Sequence, residues 1–534
     1  MGRWNNPGTR EWSRRGVVFA LLMMLATGRQ GTAQNAPPLH GFEVTETNIA
    51  TTQEAIRSRK TTCRAVAESY LARVAAYDQP TKLNSMVLLN PHLLDEADAC
   101  DRAFAATHRL QPLSGIVVVI KDNYDTAGLQ TTGGSLAMKG FVPATDATMV
   151  ARLRAAGALI LGKSNMAEWA FSPYVSASSI AGITRNPYDL SRVPAGSSGG
   201  TAAAVAASLA EVGLGTDTGN SIRGPSSHND LVGIRPTIGL TSRTGIIPLF
   251  ANNDVGGPMA RTVADAAAVL SVVAGSDPAD PVTQLHNGKP TLDYTRFLDE
   301  KTLRGARIGV FRRYIDTARA DPEVKAATEA ALAEMRLAGA VLVDPFDLPD
   351  YENLTKDLWC GDFEADLNAY LAKHPQAPYP DLKSIVASGL YLPYIEQEIR
   401  GAVAPPAKDD RRSPCLDVYH DPAKIRFRDA LLAAMDREHL DAIVYPTWSN
   451  PPRKIGDMSS PAGDNSQVLS PQTGFPAITV PAGFSHADLP VGMTFLARSF
   501  REDTLIGLAY SFEQATHHRH PPVLFPPLAK PSIP

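Results

Sequence analysis

Cysteine is scarce in this 534-residue chain, which has four, and no two of them form a Cys-x-x-Cys pair. A zinc site or a dithiol redox site is therefore not expected. No run of lysine and arginine forms a basic patch, and 51 basic against 55 acidic residues give a net charge of −4. This balance argues against a nucleic-acid partner. Beyond the N-terminal residues, no segment is long and apolar enough to span a membrane.

The N-terminal residues have the order of an export signal. Four arginines precede an apolar run from Val17 to Ala26, and small residues follow that run. We predict a signal peptide over residues 1–33, in which Arg14 and Arg15 loosely match a twin-arginine signal. The chain is then expected to be periplasmic or secreted. An uncleaved signal anchor in the membrane is the alternative.

Export makes disulfides the expected state of the four cysteines. Four cysteines allow three pairings. Cys63 and Cys100 lie on neighbouring helical segments, and Cys360 and Cys415 flank a second helical region. We therefore predict the local pairs 63–100 and 360–415, with four buried thiols as the alternative.

Short β-branched runs alternate with helical patterns along most of the chain. A Pro-rich lead-in covers 34–46, a helical part covers 47–107, and the alternating core covers 108–275. Strands separated by helices predict an α/β fold with a sheet covered on both faces. Because strand patterns lie on both sides of every Pro/Gly-rich stretch, we predict one domain over 47–530, with a variable helical cover at about 350–420.

Two segments rich in serine and glycine, 194–201 and 215–225, are candidates for a reactive site. Glycine lets successive backbone N–H groups approach a ligand and form an anion-binding nest. When a serine at the end of such a nest attacks a carbonyl group, the N–H groups of the nest can bind the oxyanion that forms. The residues that fit this oxyanion-hole role are Thr218, Gly219, Asn220 and Ser221.

A serine nucleophile needs a base. The nearby His228 has no histidine motif around it and is more typical of a structural loop residue. Lys121 ends an apolar strand pattern at 115–120, and burial there would lower its pKa and favour the neutral amine. A surface or ion-paired lysine is the alternative.

Two other patterns are weaker candidates for chemistry. Gly196-Ser-Ser-Gly-Gly200 also matches the nucleophile elbow of α/β-hydrolases, with Ser198 as nucleophile, but the residues before it are polar and include Pro194. The histidines at 517, 518 and 520 are a candidate metal site. Their place between a predicted helix and prolines favours an exposed helix end, and we predict no metal.

Several motifs together resemble the amidase signature family and span nearly the whole chain after residue 33. They are Ile120-Lys-Asp-Asn123, Gly162-Lys-Ser-Asn-Met-Ala-Glu168, Asn186-Pro-Tyr188, Gly196-Ser-Ser-Gly-Gly200, Thr216-Asp-Thr-Gly-Asn-Ser-Ile-Arg223, Gly233-Ile-Arg-Pro-Thr237 and Thr473-Gly-Phe-Pro-Ala-Ile-Thr-Val-Pro481. The resemblance implies a large mixed β-sheet between helical layers. It also implies amide hydrolysis of a small-molecule substrate, with ester cleavage as a side activity and no cofactor.

By this resemblance the catalytic triad is Lys121, Ser197 and Ser221. Ser221 would attack the carbonyl and form an acyl-enzyme, while Ser197 relays the proton between Ser221 and a neutral Lys121. In the family the bridging serine takes part in a cis peptide bond. The resemblance further implies that Ser198, Asp217 and Arg223 support the two serine loops.

The sequence departs from the family at Asn220, where glycine is usual. We expect the asparagine side chain to narrow the oxyanion pocket or to contact substrate. Two other functions stay open: a glutamine-amidotransferase-like subunit, against which the export signal argues, and a non-catalytic ligand-binding relative. A homodimer also stays open.

The resemblance leaves the substrate open among C-terminal peptide amides, aryl amides and small acyl amides. The pocket is expected to draw on residues 350–415 and 450–475. Trp359, Tyr391 and Tyr394 could line an aromatic part of it, with packing in the core as an equal alternative.

Overall fold

The computed structural model describes residues 42–286, 292–404 and 415–529, which belong to one compact unit. The predicted signal peptide at 1–33 and most of the lead-in at 34–46 lie outside the described residues. Every helix in the described part of the chain is too short or too polar to cross a membrane.

The strands of the described residues are short, as their β-branched runs predict. They are β1 (Met86–Leu89), β2 (Val117–Lys121), β3 (Leu159–Ser164), β4 (Ala177–Ser178), β5 (Gly182–Ile183), β6 (Val212–Asp217), β7 (Val232–Arg235), β8 (Val255–Ala260), β9 (Arg307–Val310), β10 (Val341–Val343), β11 (Ala442–Pro446), β12 (Ala477–Ser485) and β13 (Leu489–Leu496).

The helices lie between and beside these strands. They are α1 (Ile49–Arg57), α2 (Cys63–Tyr77), α3 (Leu93–Thr107), α4 (Thr148–Ala155), α5 (Gly199–Ala206), α6 (Arg223–His228), α7 (Val263–Val273), α8 (Pro322–Leu337), α9 (Tyr351–Thr355), α10 (Phe363–Ala372), α11 (Leu382–Ser388), α12 (Glu396–Ala402), α13 (Pro422–Arg437) and α14 (Glu502–Thr516). Both α8 and α13 start with an Asp-Pro pair, in which the aspartate accepts the first free N–H groups.

Eleven strands form one mixed sheet in the order β1-β3-β2-β6-β8-β7-β12-β13-β11-β9-β10. Strands β2, β3 and β6 are parallel to one another, and β9 is parallel to β10 and β11. The centre of the sheet, from β8 to β13, is antiparallel. The predicted fold class, a large mixed sheet in an α/β chain, is confirmed.

Helices cover both faces of the sheet, and β2 shows why its sequence is apolar throughout. Val118 and Ile120 pack in one cluster with α4, α7, α8 and α14, whereas Val117 and Val119 pack in a second cluster with α2, α3 and α5. A strand buried on both faces needs a continuous apolar run instead of alternation.

Three strands of the large sheet were not predicted, and neither were the two-residue strands β4 and β5, which pair with each other outside it. Strand β1 interrupts the segment 47–107, which the periodicity predicts as helical, because it pairs with β3 and forms the edge of the sheet. Strand β7 is only four residues long and includes a glycine, and Gly256, Gly257 and Pro258 interrupt the apolar residues of β8. At Gly257 of β8, an added Cβ would lie 2.2 Å from the carbonyl oxygen of Ile234 in β7, so close packing requires glycine there.

The predicted cover at 350–420 contains the helices α9 to α12. Phe363 and Leu367 of α10 pack with Trp169 and Ile247, which lie on loops beyond the parallel strands. The cysteines pair as predicted. Cys63 bonds to Cys100 and Cys360 bonds to Cys415, with Cα–Cα distances of 6.1 and 5.5 Å. The second disulfide links two residues within the predicted cover.

Candidate active site

The candidate site lies at one edge of the sheet, where parallel strands end. Lys121 is the last residue of β2, and Asp217 is the last residue of the adjacent β6. Parallel neighbours bring their carboxyl ends to the same edge, where α/β proteins bind ligands. The sheet therefore places the loop after β6, which carries Ser221, at the same edge as the lysine.

Lys121 is fully buried, and its amine contacts two hydroxyl groups. The Nζ atom donates to Ser197 Oγ at 2.7 Å and to Thr216 Oγ1 at 2.7 Å. Burial lowers the pKa of Lys121 to about 7, although the negative charges of Asp254 and Asp217 oppose this shift. A large fraction of the amine is therefore neutral near pH 7 and can accept a proton.

The loop that carries Ser197 is fastened to β6. The peptide bond between Gly196 and Ser197 is cis, as the resemblance implies. Ser198 donates from Oγ to the carbonyl oxygen of Thr216 at 3.1 Å and accepts from the Thr216 N–H at 3.3 Å. Ser198 thus joins the first serine loop to the strand that leads into the second.

Ser221 lies in the loop between β6 and α6 and is 5% exposed, whereas Ser197 and Lys121 are fully buried. In the described structure, no residue accepts a hydrogen bond from the backbone N–H groups of 218–221. Buried backbone donors are almost always paired. This row of donors can therefore receive an oxyanion beside the Ser221 hydroxyl.

Asp217 anchors the loop that carries Ser221 through ion pairs with two arginines. Its carboxylate accepts from Arg223 Nε at 3.1 Å and from Arg235 Nη1 at 3.0 Å, and all three side chains are fully buried. Arg223 also donates to the carbonyl oxygen of Gly219 at 2.8 Å. The arginines lower the pKa of Asp217 to about 2, so the carboxylate is ionised at neutral pH.

The variant Asp217→Asn is expected to destabilise the protein by about 3–5 kcal/mol, because it leaves buried arginine charge uncompensated. Denaturant unfolding followed by circular dichroism measures the change. Asp280→Asn is a matched control, since Asp280 also binds an arginine at two points, but Arg243 is 23% exposed. Equal losses in the two variants would contradict the role of Asp217 as the buried anchor of this loop.

The Asn220 side chain does not take the place expected from the sequence. It is 1% exposed, donates to the Pro173 carbonyl oxygen at 3.4 Å, and fills the space beside Gly224. A Cβ on Gly224 would lie 2.2 Å from the Asn220 amide, so glycine at 224 makes room for asparagine at 220. The side chain thus packs against Gly224 at the start of α6.

Three residues of the site have no role in the sequence prediction. Thr216 binds the lysine amine, Arg235 is the second partner of Asp217, and Asp254 accepts from Thr218 Oγ1 at 2.5 Å. Thr216 and Arg235 lie within two of the motifs that resemble the amidase signature family, so those motifs could have identified both residues. Asp254 follows a loop and precedes β8, and nothing local marks it.

The other sequence candidates lie elsewhere or have different partners. His228 is buried and stacks on Trp448 with 4.6 Å between ring centroids, and burial lowers its pKa to about 3. His518 pairs with Glu334 at 2.7 Å. In the described structure, the residues directly before Ser198 form no strand, which argues against the nucleophile elbow.

The three aromatic residues predicted for the pocket lie in different surroundings. Trp359 lies against Gly219 of the oxyanion loop. Tyr394 shares a hydrogen bond with Ser172 at 3.2 Å, close to the first serine loop, and Tyr391 packs in the core of the cover.

The chain is similar to known proteins along most of its length. The model of the Amidase family matches residues 65–506. The chain is 36% identical over 477 residues to the A subunit of the glutamyl-tRNA(Gln) amidotransferase from Symbiobacterium thermophilum, covering 86% of this chain and 95% of that protein.

Two solved structures are similar over almost their whole length. The native peptide amidase from Stenotrophomonas maltophilia superposes with a TM-score of 0.78 at 38% identity, covering 91% of this chain and 99% of that one. An amidase family protein from Bacillus anthracis superposes with a TM-score of 0.79 at 31% identity, covering 90% and 92%. The chain therefore belongs to the amidase family, as its motifs predict.

Proposed function

We propose that this chain is an exported amidase that hydrolyses a carbon–nitrogen amide bond through an acyl-enzyme on Ser221. One observation carries the proposal: a fully buried lysine whose pKa is lowered to about 7 donates to Ser197 Oγ at 2.7 Å. A buried neutral amine in contact with a serine hydroxyl is a proton acceptor for a serine nucleophile.

The proposed reaction starts when Ser221 Oγ attacks the amide carbonyl carbon. Its proton passes to Ser197, whose own proton passes to the Lys121 amine. The carbonyl oxygen becomes an oxyanion on the N–H groups of 218–221, where each donor is worth about 3–4 kcal/mol in such sites.

The tetrahedral intermediate then loses its leaving group. Lys121 returns the proton through Ser197 to the amide nitrogen, and the C–N bond breaks to release an amine and leave the acyl ester on Ser221. Water repeats the sequence: it loses a proton by the same route, attacks the ester, and releases the acid as Ser221 regains its proton. Atoms and charges balance without a cofactor.

Export is the second part of the proposal. The N-terminal signal pattern supports it, and so do the two disulfides, since cytosolic proteins seldom keep structural disulfides. The identity with the amidotransferase protein favours a second candidate, in which the chain releases ammonia from glutamine. An exported chain has no charged tRNA to receive that ammonia, so we place this candidate second.

A fluorophosphonate probe tests the proposed nucleophile directly. Incubation followed by peptide mass spectrometry is expected to find one adduct, on Ser221. The matched control is Ser226→Ala, which removes a buried hydroxyl that has no hydrogen-bond partner among the described residues and should leave labelling intact. An unlabelled wild type that still binds an amide would indicate a non-catalytic relative. Faster turnover of glutamine than of other amides would favour the amidotransferase role.

A further inference from the structure

Two side chains from distant segments meet the oxyanion loop at Gly219. A Cβ placed on Gly219 would lie 2.1 Å from Gln467 Oε1 and 2.8 Å from Cη2 of Trp359. No other residue type fits at 219 without moving this pair. Trp359 and Gln467, which we call the Gly219 wall, are both half-buried and so keep a solvent-accessible side.

The amide of Gln467 has a fixed orientation. Its Nε2 donates to Asp464 Oδ2 at 2.6 Å. A carboxylate only accepts hydrogen bonds, so the amide nitrogen must face Asp464 and the carbonyl oxygen must face Gly219. No described residue donates to that oxygen. The wall therefore presents a hydrogen-bond acceptor next to the oxyanion loop.

Trp359 is held by its neighbours in the cover. The next residue, Cys360, is bonded to Cys415, and its carbonyl oxygen accepts from Asn252 Nδ2 at 2.9 Å. The Phe250 ring lies 6.5 Å from the Trp359 ring, between centroids. The wall thus pairs a fixed acceptor with a fixed aromatic surface.

The wall lies on the acyl side of the substrate if the proposed mechanism holds. Ser197 delivers the proton to the leaving nitrogen, so the leaving group faces the loop of Ser197. That loop is enclosed on its other side by the carbonyl oxygens of Ser172 and Val175, which lie 2.4 and 2.8 Å from a Cβ added at Gly196. The acyl part then extends in the opposite direction, towards Gly219.

We propose that Gln467 and Trp359 form the acyl subsite and that the preferred substrates are amides of N-acylated amino acids with an apolar side chain. This inference rests on the amidase function proposed above. Gln467 accepts the N–H group beside the substrate's α-carbon, and Trp359 packs against its side chain. A C-terminally amidated peptide has both features, whereas an alkyl or aryl carboxamide lacks the N–H donor.

The first test compares two substrates, only one of which carries an acylated amine on its α-carbon. The wild type is expected to hydrolyse N-acetyl-L-phenylalaninamide with a kcat/KM up to about tenfold above that of 3-phenylpropanamide, since one hydrogen bond is worth up to about tenfold. Gln467→Met keeps the length of the side chain and removes the acceptor. We expect it to lower this ratio about tenfold, while Gln397→Met, at an exposed position on α12, keeps the wild-type ratio.

The second test addresses the aromatic surface. Trp359→Leu is expected to lower the kcat/KM ratio of N-acetyl-L-phenylalaninamide to N-acetyl-L-alaninamide by about three- to tenfold, because ring–ring contact is lost. A wild-type enzyme without preference for the acylated amine, or a Gln467→Met variant with the wild-type ratio, would overturn the subsite. Amide hydrolysis that persists in Ser221→Ala would instead overturn the proposed function, so the two failures are distinct.

Discussion

Replacement of Ser221 by alanine is expected to lower kcat for amide hydrolysis on the order of 10⁵-fold, because the variant has no atom to carry the acyl group. The background that persists comes from the N–H groups of 218–221, which can still polarise the substrate carbonyl. Release of ammonia or amine from a reactive amide measures the rate. KM is expected to change little, since the Ser221 hydroxyl makes few contacts before attack.

The control for this variant is Ser226→Ala, five residues along the chain in α6. Both serines are buried, and the Ser226 hydroxyl has no hydrogen-bond partner in the described structure. We expect Ser226→Ala to keep activity within about twofold of the wild type, because an unpartnered hydroxyl contributes little. A Ser221→Ala variant that loses less than tenfold would show that another group is the nucleophile.

Replacement of Lys121 by methionine is expected to lower kcat/KM by about 10³- to 10⁴-fold at pH 8, in the range of a general base. The same residue sets the pH dependence of the wild type. With a pKa of about 7, the fraction of Lys121 that is neutral falls roughly tenfold per pH unit below pH 6.5 and reaches a plateau above pH 8. The wild-type rate should therefore rise with pH through about 7, and the variant should lose this step.

A second buried lysine provides the matched control. Lys424 of α13 is also fully buried, and its amine donates to Asn253 Oδ1 at 2.8 Å instead of to a serine. Lys424→Met should keep the step near pH 7 even if it loses some stability, and thermal unfolding by circular dichroism reports that loss. A wild-type rate that is flat from about pH 5 to pH 9 would exclude Lys121 as the base.

Local sequence patterns predict most of the sheet, including β2, because a strand buried on both faces needs a continuous apolar run. They do not predict β1, β7 or β8. The segment around β1 matches a helical pattern, β7 is short and includes a glycine, and two glycines and a proline interrupt β8. Tertiary pairing overrides weak local preference in all three cases.

The residues of the site also divide into those that local motifs identify and those that only the tertiary structure reveals. The motifs identify Lys121, Ser197 and Ser221 as candidates, and they predict the role of Asp217 as an anchor. They do not indicate Asp254, whose contact with Thr218 depends on where β8 begins. They also predict that the Asn220 side chain narrows the oxyanion pocket or contacts substrate, whereas in the structure its amide lies beside Gly224.

The sequence by itself determined the family, most of the sheet-forming segments, the candidate site residues and the two cysteine pairs, since each of these depends on short motifs or on nearby segments. The tertiary structure decided which groups touch. The folded chain brings Lys121, at the end of β2, to 2.7 Å from Ser197 in the loop before α5, and burial then shifts the lysine pKa to about 7. Burial and contact between residues far apart in the chain depend on the packing of the whole fold, which no local pattern contains.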